Sequence, residues 1–300
     1  MSPRIGLATC EEAWREDEDA PPIEQAFADR GASFDWLVWD DPTVEWAAYD
    51  LVVVRSTWDY VPRREEFLGW ADRVAAATRL ENGPAVLRWN TDKHYLDDLA
   101  AAGVPTVPTT FLDPDRGHAS RDAVPAALPA DGGFVVKPAV SAGSKDTVRY
   151  DDGPRERERA VAQASDLLAS GRSVVVQPYL AAVDELGETG LVHVGGAFSH
   201  AFRKGPLLEV GGAPVTALYA RESISPRTAT ADELAVGAAA VAAAEDLLGT
   251  RLLYARIDLL PGDDGRPLLL ELELSEPSFF LDTDPGAAGR AVDAFLRAAA

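Results

Sequence analysis

Two apolar runs joined by a turn, LLYARIDLL (Leu252 to Leu260) and LLLELELS (Leu268 to Ser275), constrain this chain more than any other feature. The connecting PGDDGRP is rich in turn formers, so the pair reads as a β-hairpin over residues 251 to 275. Side chains alternate along a strand, which places Arg256 and Asp258 on one face of the first strand and Glu271 and Glu273 on one face of the second. With the turn centred near Asp264, Asp258 and Glu271 stand opposite each other. The remaining positions are almost all Leu and Ile.

Carboxylates this close repel by on the order of 4 kcal/mol per contacting pair at an effective dielectric of ~20 unless a cation neutralises them. Asp258, Glu271 and Glu273 are hard oxygen donors with no His or Cys beside them, which suits Mg²⁺ completed by water and phosphate oxygens. A solvated hairpin face has the same alternation. The order R-x-D, turn, E-x-E, followed by Ser-Glu-Pro, is less common than a merely charged face, and basic residues elsewhere favour the metal.

Those basic residues start with Lys137, which ends the apolar strand FVVKP and precedes PAVSAGSKDT, a loop of small residues through which backbone N–H groups approach a polyphosphate. Lysine before the loop is not the P-loop order, and GxGxxG and GxSxG are absent, so a dinucleotide-dependent dehydrogenase lacks its fingerprint. Ser141 to Lys145 also fits a plain surface turn. Lys93 in NTDKHYL opens a helix from which its ammonium reaches a cleft or only solvent. Arg203 and Lys204, adjacent cations in an acidic chain, suit a phosphate or a substrate carboxylate, or form a solvated pair. His193 and His200 read as core or surface histidines, and Cys10, the single cysteine, as a buried structural thiol.

The rest of the chain is α/β. RIGLA (Arg4 to Ala8), FDWLVW (Phe34 to Trp39) and LVVVR (Leu51 to Arg55) predict a parallel sheet, with helices over 63 to 78 and 92 to 102, the second ended by Gly103 and Pro105. FVVKP, a helix through 155 to 170 and SVVVQPYL (Ser173 to Leu180) form a further α+β unit. Thr230 and Glu233 have capping-box spacing before an Ala-rich helix that closes at Gly249. The stretch from Asp113 to Asp131 reads as a surface connection. At 300 residues, two or three packed units are expected, with a boundary near 80 to 105. RSTWDY (Arg55 to Tyr60) ends a strand of the first unit, where ligand clefts form; Arg55 there clamps a substrate carboxylate between Trp58 and Tyr60, or stacks on an aromatic to pack the loop.

A net charge of −21 argues against nucleic-acid or anionic-membrane partners. No run of 18 or more apolar residues and no secretory signal is readable, so the expectation is a cytoplasmic protein.

In order, NTDKHYL, FVVKPAVSAGS, VVVQPYL, GETGLVHVGG, YARIDLL and LLLELELSEPS resemble the motifs of ATP-grasp ligases over roughly residues 90 to 280. The resemblance is to the glutathione-synthetase-like and ribosomal-protein-modifying branches, and to cyclo-ligases acting on ureido-serine. It implies an ATP-grasp fold: a pre-ATP-grasp domain (1–90) with a parallel sheet, a central lobe (91–180) and a C-terminal catalytic lobe (181–300), the two lobes clasping the nucleotide. It further implies that Lys93 and Lys137 contact the ATP phosphates under a loop carrying Ser141, Gly143 and Ser144. Gln177, Tyr179 and Leu180 then match the adenine hinge, and Glu188 the ribose-binding acid. Asp258, Glu271 and Glu273 match the ligands of two Mg²⁺ ions, with Mn²⁺ as a substitute. Arg256, with Lys204, belongs beside the transferring phosphate. The family usually has Asn where Glu273 stands.

The implied chemistry is phosphorylation of a carboxylate or similar oxygen by ATP, attack by an amine on the acyl phosphate, and release of ADP and phosphate. The partner is then an amino-acid-like small molecule, joined to a second one or closed into a ring as in cycloserine formation; relatives often form homodimers. Arg55, Trp58, Tyr60 and Arg203 are the substrate-side candidates. The competing class is a nucleotide-binding module without catalysis, which need not keep a complete metal face.

Overall fold

The computed structural model describes residues 3–116, 123–210, 212 and 223–300. Near the N-terminus, β1 (Ile5–Thr9), β2 (Phe34–Val38) and β3 (Leu51–Ser56) form a parallel sheet in the order β2-β1-β3, with α1 (Ala20–Asp29) between the first two strands. Every residue of β1 and β3 is buried, as expected for strands covered on both faces. The helices α2 (Arg64–Ala77), α3 (Pro84–Asn90) and α4 (Tyr95–Ala101) follow, and α4 ends before Gly103, whose φ is +87°.

A second sheet, antiparallel, is built from β4 (Thr110–Leu112), β5 (Phe134–Pro138), β6 (Val148–Tyr150) and β7 (Val174–Pro178) in the order β4-β7-β5-β6. One face packs on α5 (Val124–Ala127) and α6 (Pro154–Ala169). The stretch from Asp113 to Asp131 is therefore more than a surface connection. Asp113 is buried between His94 and Arg116, and Val124 is wholly buried in the core of this sheet. Residues 117–122 lie outside the described part.

After α7 (Val183–Leu186), a third sheet carries β8 (Glu188–Val194), β9 (Ala197–Lys204), β10 (Ile224–Arg227), β11 (Tyr254–Pro261) and β12 (Pro267–Glu273), in the order β10-β9-β8-β11-β12. The expected hairpin is β11–β12, in a register that pairs Arg256 with Glu273 and Asp258 with Glu271. Between β10 and β11, α8 (Ala231–Leu248) begins with the capping box of Thr230 and Glu233 and ends at Gly249 in the left-handed conformation. The C-terminal α9 (Ala287–Ala299) packs on α1 and buries Ala291, Val292 and Phe295 against Ile5, Leu7 and Leu51. Val192, Val194 and Phe202 of the third sheet join the same core, so the first and third sheets share apolar contacts.

Candidate active site

The second and third sheets, together with segments that follow β1 and β3 of the first, surround a cavity of about 540 Å³. Its centre is the charged face of β11–β12. Arg256 Nε lies 3.1 Å from each oxygen of Asp258, its Nη2 is 2.8 Å from Asp258 Oδ2, and it also pairs with Glu273. Lys204, at the end of β9, bridges Asp258 and Glu188 with 2.8 Å contacts to both. Lys93 reaches across from the turn before α4 to Glu271 at 2.9 Å and donates to the Ser141 carbonyl at 3.1 Å.

Sequence-local reasons place each group. β8 lies between β9 and β11, and its Gly190 pairs with Asp258 on one side and with Phe202 on the other, while Glu188 pairs with Lys204. A Cβ at Gly190 would stand 2.1 Å from the Phe202 ring, so only glycine lets these strands pack this way. The register of β12 is fixed from outside the sheet. Asn90 donates to the Leu272 carbonyl at 2.6 Å and accepts from the Leu274 N–H at 2.7 Å, and the Tyr95 hydroxyl accepts from the Leu272 N–H. The loop after Lys137 bends through positive φ at Gly143, Ser144 and Asp146. Non-glycine residues hold that conformation at a cost, which is common where a loop must wrap a ligand.

The electrostatics follow from burial and from these pairs. Burial alone would raise Asp258, but Arg256 and Lys204 hold its carboxyl down to about 2. Burial likewise opposes Glu271, and Lys93 and Lys137 keep it below the usual carboxylate range. Glu273 has only part of Arg256, and burial together with the neighbouring Asp258 and Glu271 carries it up to about 7. Burial lowers the Lys137 ammonium to about 8, an effect only partly offset by Glu271. Glu273 is thus the carboxylate of this face that its cations leave least compensated.

A hard divalent cation such as Mg²⁺ fits this all-oxygen donor set. The three carboxylates do not offer one oxygen each within 4.8 Å of one another, because separate cations draw them apart. That spacing suits an ion held by one or two carboxylates together with phosphate oxygens, not a closed protein cage. Among the described residues, the group that does converge to that distance is Cys10, Glu12 and Asp59. Burial pushes the Cys10 thiol up to about 11, which makes it a poor ligand.

At one end of the cavity Gln177, buried in β7, donates to Thr109 Oγ1 at 2.9 Å, and Tyr179 lies under the Arg149 guanidinium at 3.5 Å. Leu180, Val183, Leu260 and Leu270 form an apolar cluster there. At the other end stand Trp58, Tyr60, Asp17 and Glu276.

The structure therefore gathers Lys93, Lys137, Ser141, Gly143, Ser144, Gln177, Tyr179, Leu180, Glu188, Lys204, Arg256, Asp258, Glu271, Glu273, Trp58 and Tyr60 around one cavity. It does not bring Arg55 or Arg203 there. Arg55 is 1% exposed, paired with Asp19 at 3.3 Å and stacked 3.9 Å over the Phe279 ring, so it packs the loop and does not clamp a ligand. Arg203 points to the other side of β9 from Lys204 and donates to the Leu186 and Glu185 carbonyls, closing the end of α7. Asp19, Asp17 and Glu276 carry no signal in sequence order alone. Asp19 accepts from the Phe279 and Leu281 N–H groups some 260 residues away, a contact that only the folded chain creates.

Residues 5–82 match the family described as D-cycloserine synthetase DcsG, N-terminal domain. Over 271 residues the chain is 43% identical to the cycloserine biosynthesis protein DcsG of Streptomyces lavendulae, covering 88% of each. The chain belongs to the D-cycloserine synthetase family. The crystal structure of D-cycloserine synthetase DcsG superposes with a TM-score of 0.89 at 37% identity, covering 99% of this chain and all of that one. D-alanine–D-alanine ligase from Bacillus anthracis shares the fold, with a TM-score of 0.66 at 13% identity, covering 99% of this chain and 97% of that one. The protein is an ATP-grasp ligase, and its motifs follow the order expected of one. Among the described residues no helix is long and apolar enough to cross a membrane.

Proposed function

We propose that this member of the D-cycloserine synthetase family is an ATP- and Mg²⁺-dependent cyclo-ligase that closes the ring of cycloserine from O-ureido-D-serine, releasing ADP and phosphate. The observation that carries the reading is the convergence of Arg256, Lys204 and Lys93 on Asp258, Glu271 and Glu273 within one cavity, in a chain 43% identical to a cycloserine biosynthesis protein.

In this reading the Leu180–Leu270 cluster takes the adenine, with Gln177 and Tyr179 at its edge and Glu188 at the ribose. Lys93, Lys137 and the loop of Ser141, Gly143 and Ser144 hold the phosphates. Asp258, Glu271 and Glu273 would hold two Mg²⁺ ions, for which Mn²⁺ would substitute, and the ions would supply counter-charge to the phosphates. Arg256 and Lys204 then stabilise the charge that develops as the γ-phosphoryl group moves to the substrate carboxylate. The ureido nitrogen next to oxygen attacks the activated carbonyl carbon and loses its proton to solvent, the ring C–N bond forms, and the C–O bond to phosphate breaks with its electron pair leaving on phosphate; water then cleaves the bond from that nitrogen to its carbamoyl group, which departs as CO2 and ammonia and leaves cycloserine. Trp58 and Tyr60 wall the substrate end. Residues 1–90, 91–180 and 181–300 act as substrate-side domain, central lobe and catalytic lobe of a cytoplasmic homodimer.

The test is incubation with ATP, Mg²⁺ and O-ureido-D-serine, read by mass spectrometry, with hydroxylamine present in a parallel reaction. Cycloserine and ADP in equal amounts, with a trapped hydroxamate, are expected. ADP release driven by pairs of amino acids or by peptides instead would make the enzyme an intermolecular ligase.

A further inference from the structure

Glu276 is a buried acid at this cavity that the phosphoryl chemistry leaves without a role. It sits three residues beyond the end of β12, in the Ser-Glu-Pro turn, and is 9% exposed. Two aromatic residues of the N-terminal unit hold it. Trp58 Nε1 donates to its backbone carbonyl at 3.0 Å, and the Tyr60 hydroxyl is hydrogen-bonded to its carboxyl. The second carboxyl oxygen, Oε2, is buried with no hydrogen-bond partner. A buried acceptor left unpaired is costly, and such a group persists where a ligand supplies the missing donor.

The surroundings decide the sign of that ligand. Glu273 and Glu271 face Glu276, and Lys93, the cation that acts on it, is already engaged with Glu271 at 2.9 Å. The Glu273 and Glu271 carboxylates beside it disfavour a phosphate oxygen, whereas a cationic nitrogen supplies the donor missing at Oε2 and the counter-charge that keeps the buried carboxyl ionised against its upward shift. Such a nitrogen belongs to the second substrate.

We propose that Glu276, positioned by Trp58 and Tyr60, binds the α-ammonium group of the amino-acid substrate and so fixes which end of that substrate faces the phosphoryl-transfer centre. This rests on the ligase reading above. Tyr60 and Trp58 act through Glu276 and are positioning residues. The contact selects amino acids over their des-amino counterparts.

A thermodynamic cycle tests it. Wild type and Glu276→Gln are assayed for ADP release with O-ureido-D-serine and with 3-(ureidooxy)propionate, which lacks only the ammonium group. In the wild type, removing the ammonium should lower kcat/KM by about 30-fold or more, the scale of losing a desolvated charge partner. Glu276→Gln should lose about as much with O-ureido-D-serine while treating the two compounds within about 3-fold of each other. The KM for ATP and the thermal shift produced by MgADP should not move, which separates loss of a contact from loss of the fold. Glu276→Asp should recover part of the loss, and Tyr60→Phe should weaken the ammonium preference in the same direction.

Equal, multiplicative losses from the two changes would overturn the assignment, as would wild-type kinetics in Glu276→Gln. So would the same coupling appearing in Asp17→Asn but not at Glu276. A wild-type enzyme that releases no ADP with O-ureido-D-serine or any other amino acid overturns the ligase reading, and the Glu276 assignment falls with it; an active wild type with uncoupled losses overturns only the assignment.

Discussion

Lys137 shows what single residues do at this site. Its ammonium is buried in the end of β5 and held near 8, whereas a free lysine keeps its proton to about 10.4. Its attraction for a polyphosphate is fully present below that value and is lost as pH rises through it. Nucleotide affinity measured by calorimetry with AMP-PNP should therefore weaken above about pH 8, by up to about 10-fold by pH 9.5, and Lys137→Met should be weak and flat across the range. Affinity that is constant from pH 7 to 9.5 in the wild type would remove Lys137 from the phosphates. Residues on the hairpin were legible in the sequence because strand alternation and one turn fix Arg256, Asp258, Glu271 and Glu273 relative to each other. Glu276 and Asp17 were not legible, since what marks them is a missing partner in the folded chain. Arg55 misleads for the opposite reason: a strand-end arginine looks available until Asp19 and Phe279 enclose it.

Among the elements, α8 joins local sequence to the site. Its capping box is closed by Thr230 Oγ1 and the Glu233 carboxylate, and Glu233 also accepts from Thr189 of β8 and pairs with Arg227 of β10. Burial opposes the charge on Glu233, yet these donors keep its carboxyl below the usual range. Thr230→Ala should cost about 1 kcal/mol, as an ordinary cap does. Glu233→Ala should cost more, about 2 to 3 kcal/mol, because it also strands the buried Thr189 hydroxyl and the Arg227 guanidinium. Urea unfolding of the two variants checks the order, and equal losses would reduce Glu233 to a helix cap. This helix was readable because caps and a closing glycine are local signals. In contrast, α9 starts at Gly286 with no side-chain cap, and its place in the core comes from packing against α1 and the first sheet.

At the scale of the molecule, concentrating carboxylates at one cavity ties stability to pH. Glu273 and Glu276 are raised to about 7 and about 8, so between the unfolded carboxylate range and those values the folded chain binds more protons than the unfolded one. Their stabilisation is complete at low pH and is lost as pH rises through 7 to 8. His193 and His200 are lowered by burial and act in the opposite sense, but below about pH 6.5. The ligand-free protein should therefore lose about 2 kcal/mol of stability between pH 6.5 and 8. MgADP should reduce that loss by supplying counter-charge, and melting temperatures across this window with and without it are the check. A melting temperature that climbs from pH 6.5 to 8 in the free protein would contradict the charge balance described for the cavity.

The central claim is that the face of Asp258, Glu271 and Glu273 drives phosphoryl transfer from ATP to an amino-acid carboxylate. Its most direct test is substrate-dependent ADP release by the wild type and by Glu271→Gln at saturating ATP, Mg²⁺ and O-ureido-D-serine. Glu271→Gln removes the partner of Lys93 and one proposed ion ligand, so the rate should fall by about 100- to 1,000-fold with the circular-dichroism spectrum unchanged. A variant that keeps the fold and releases ADP at the wild-type rate would show that the hairpin is only a charged surface.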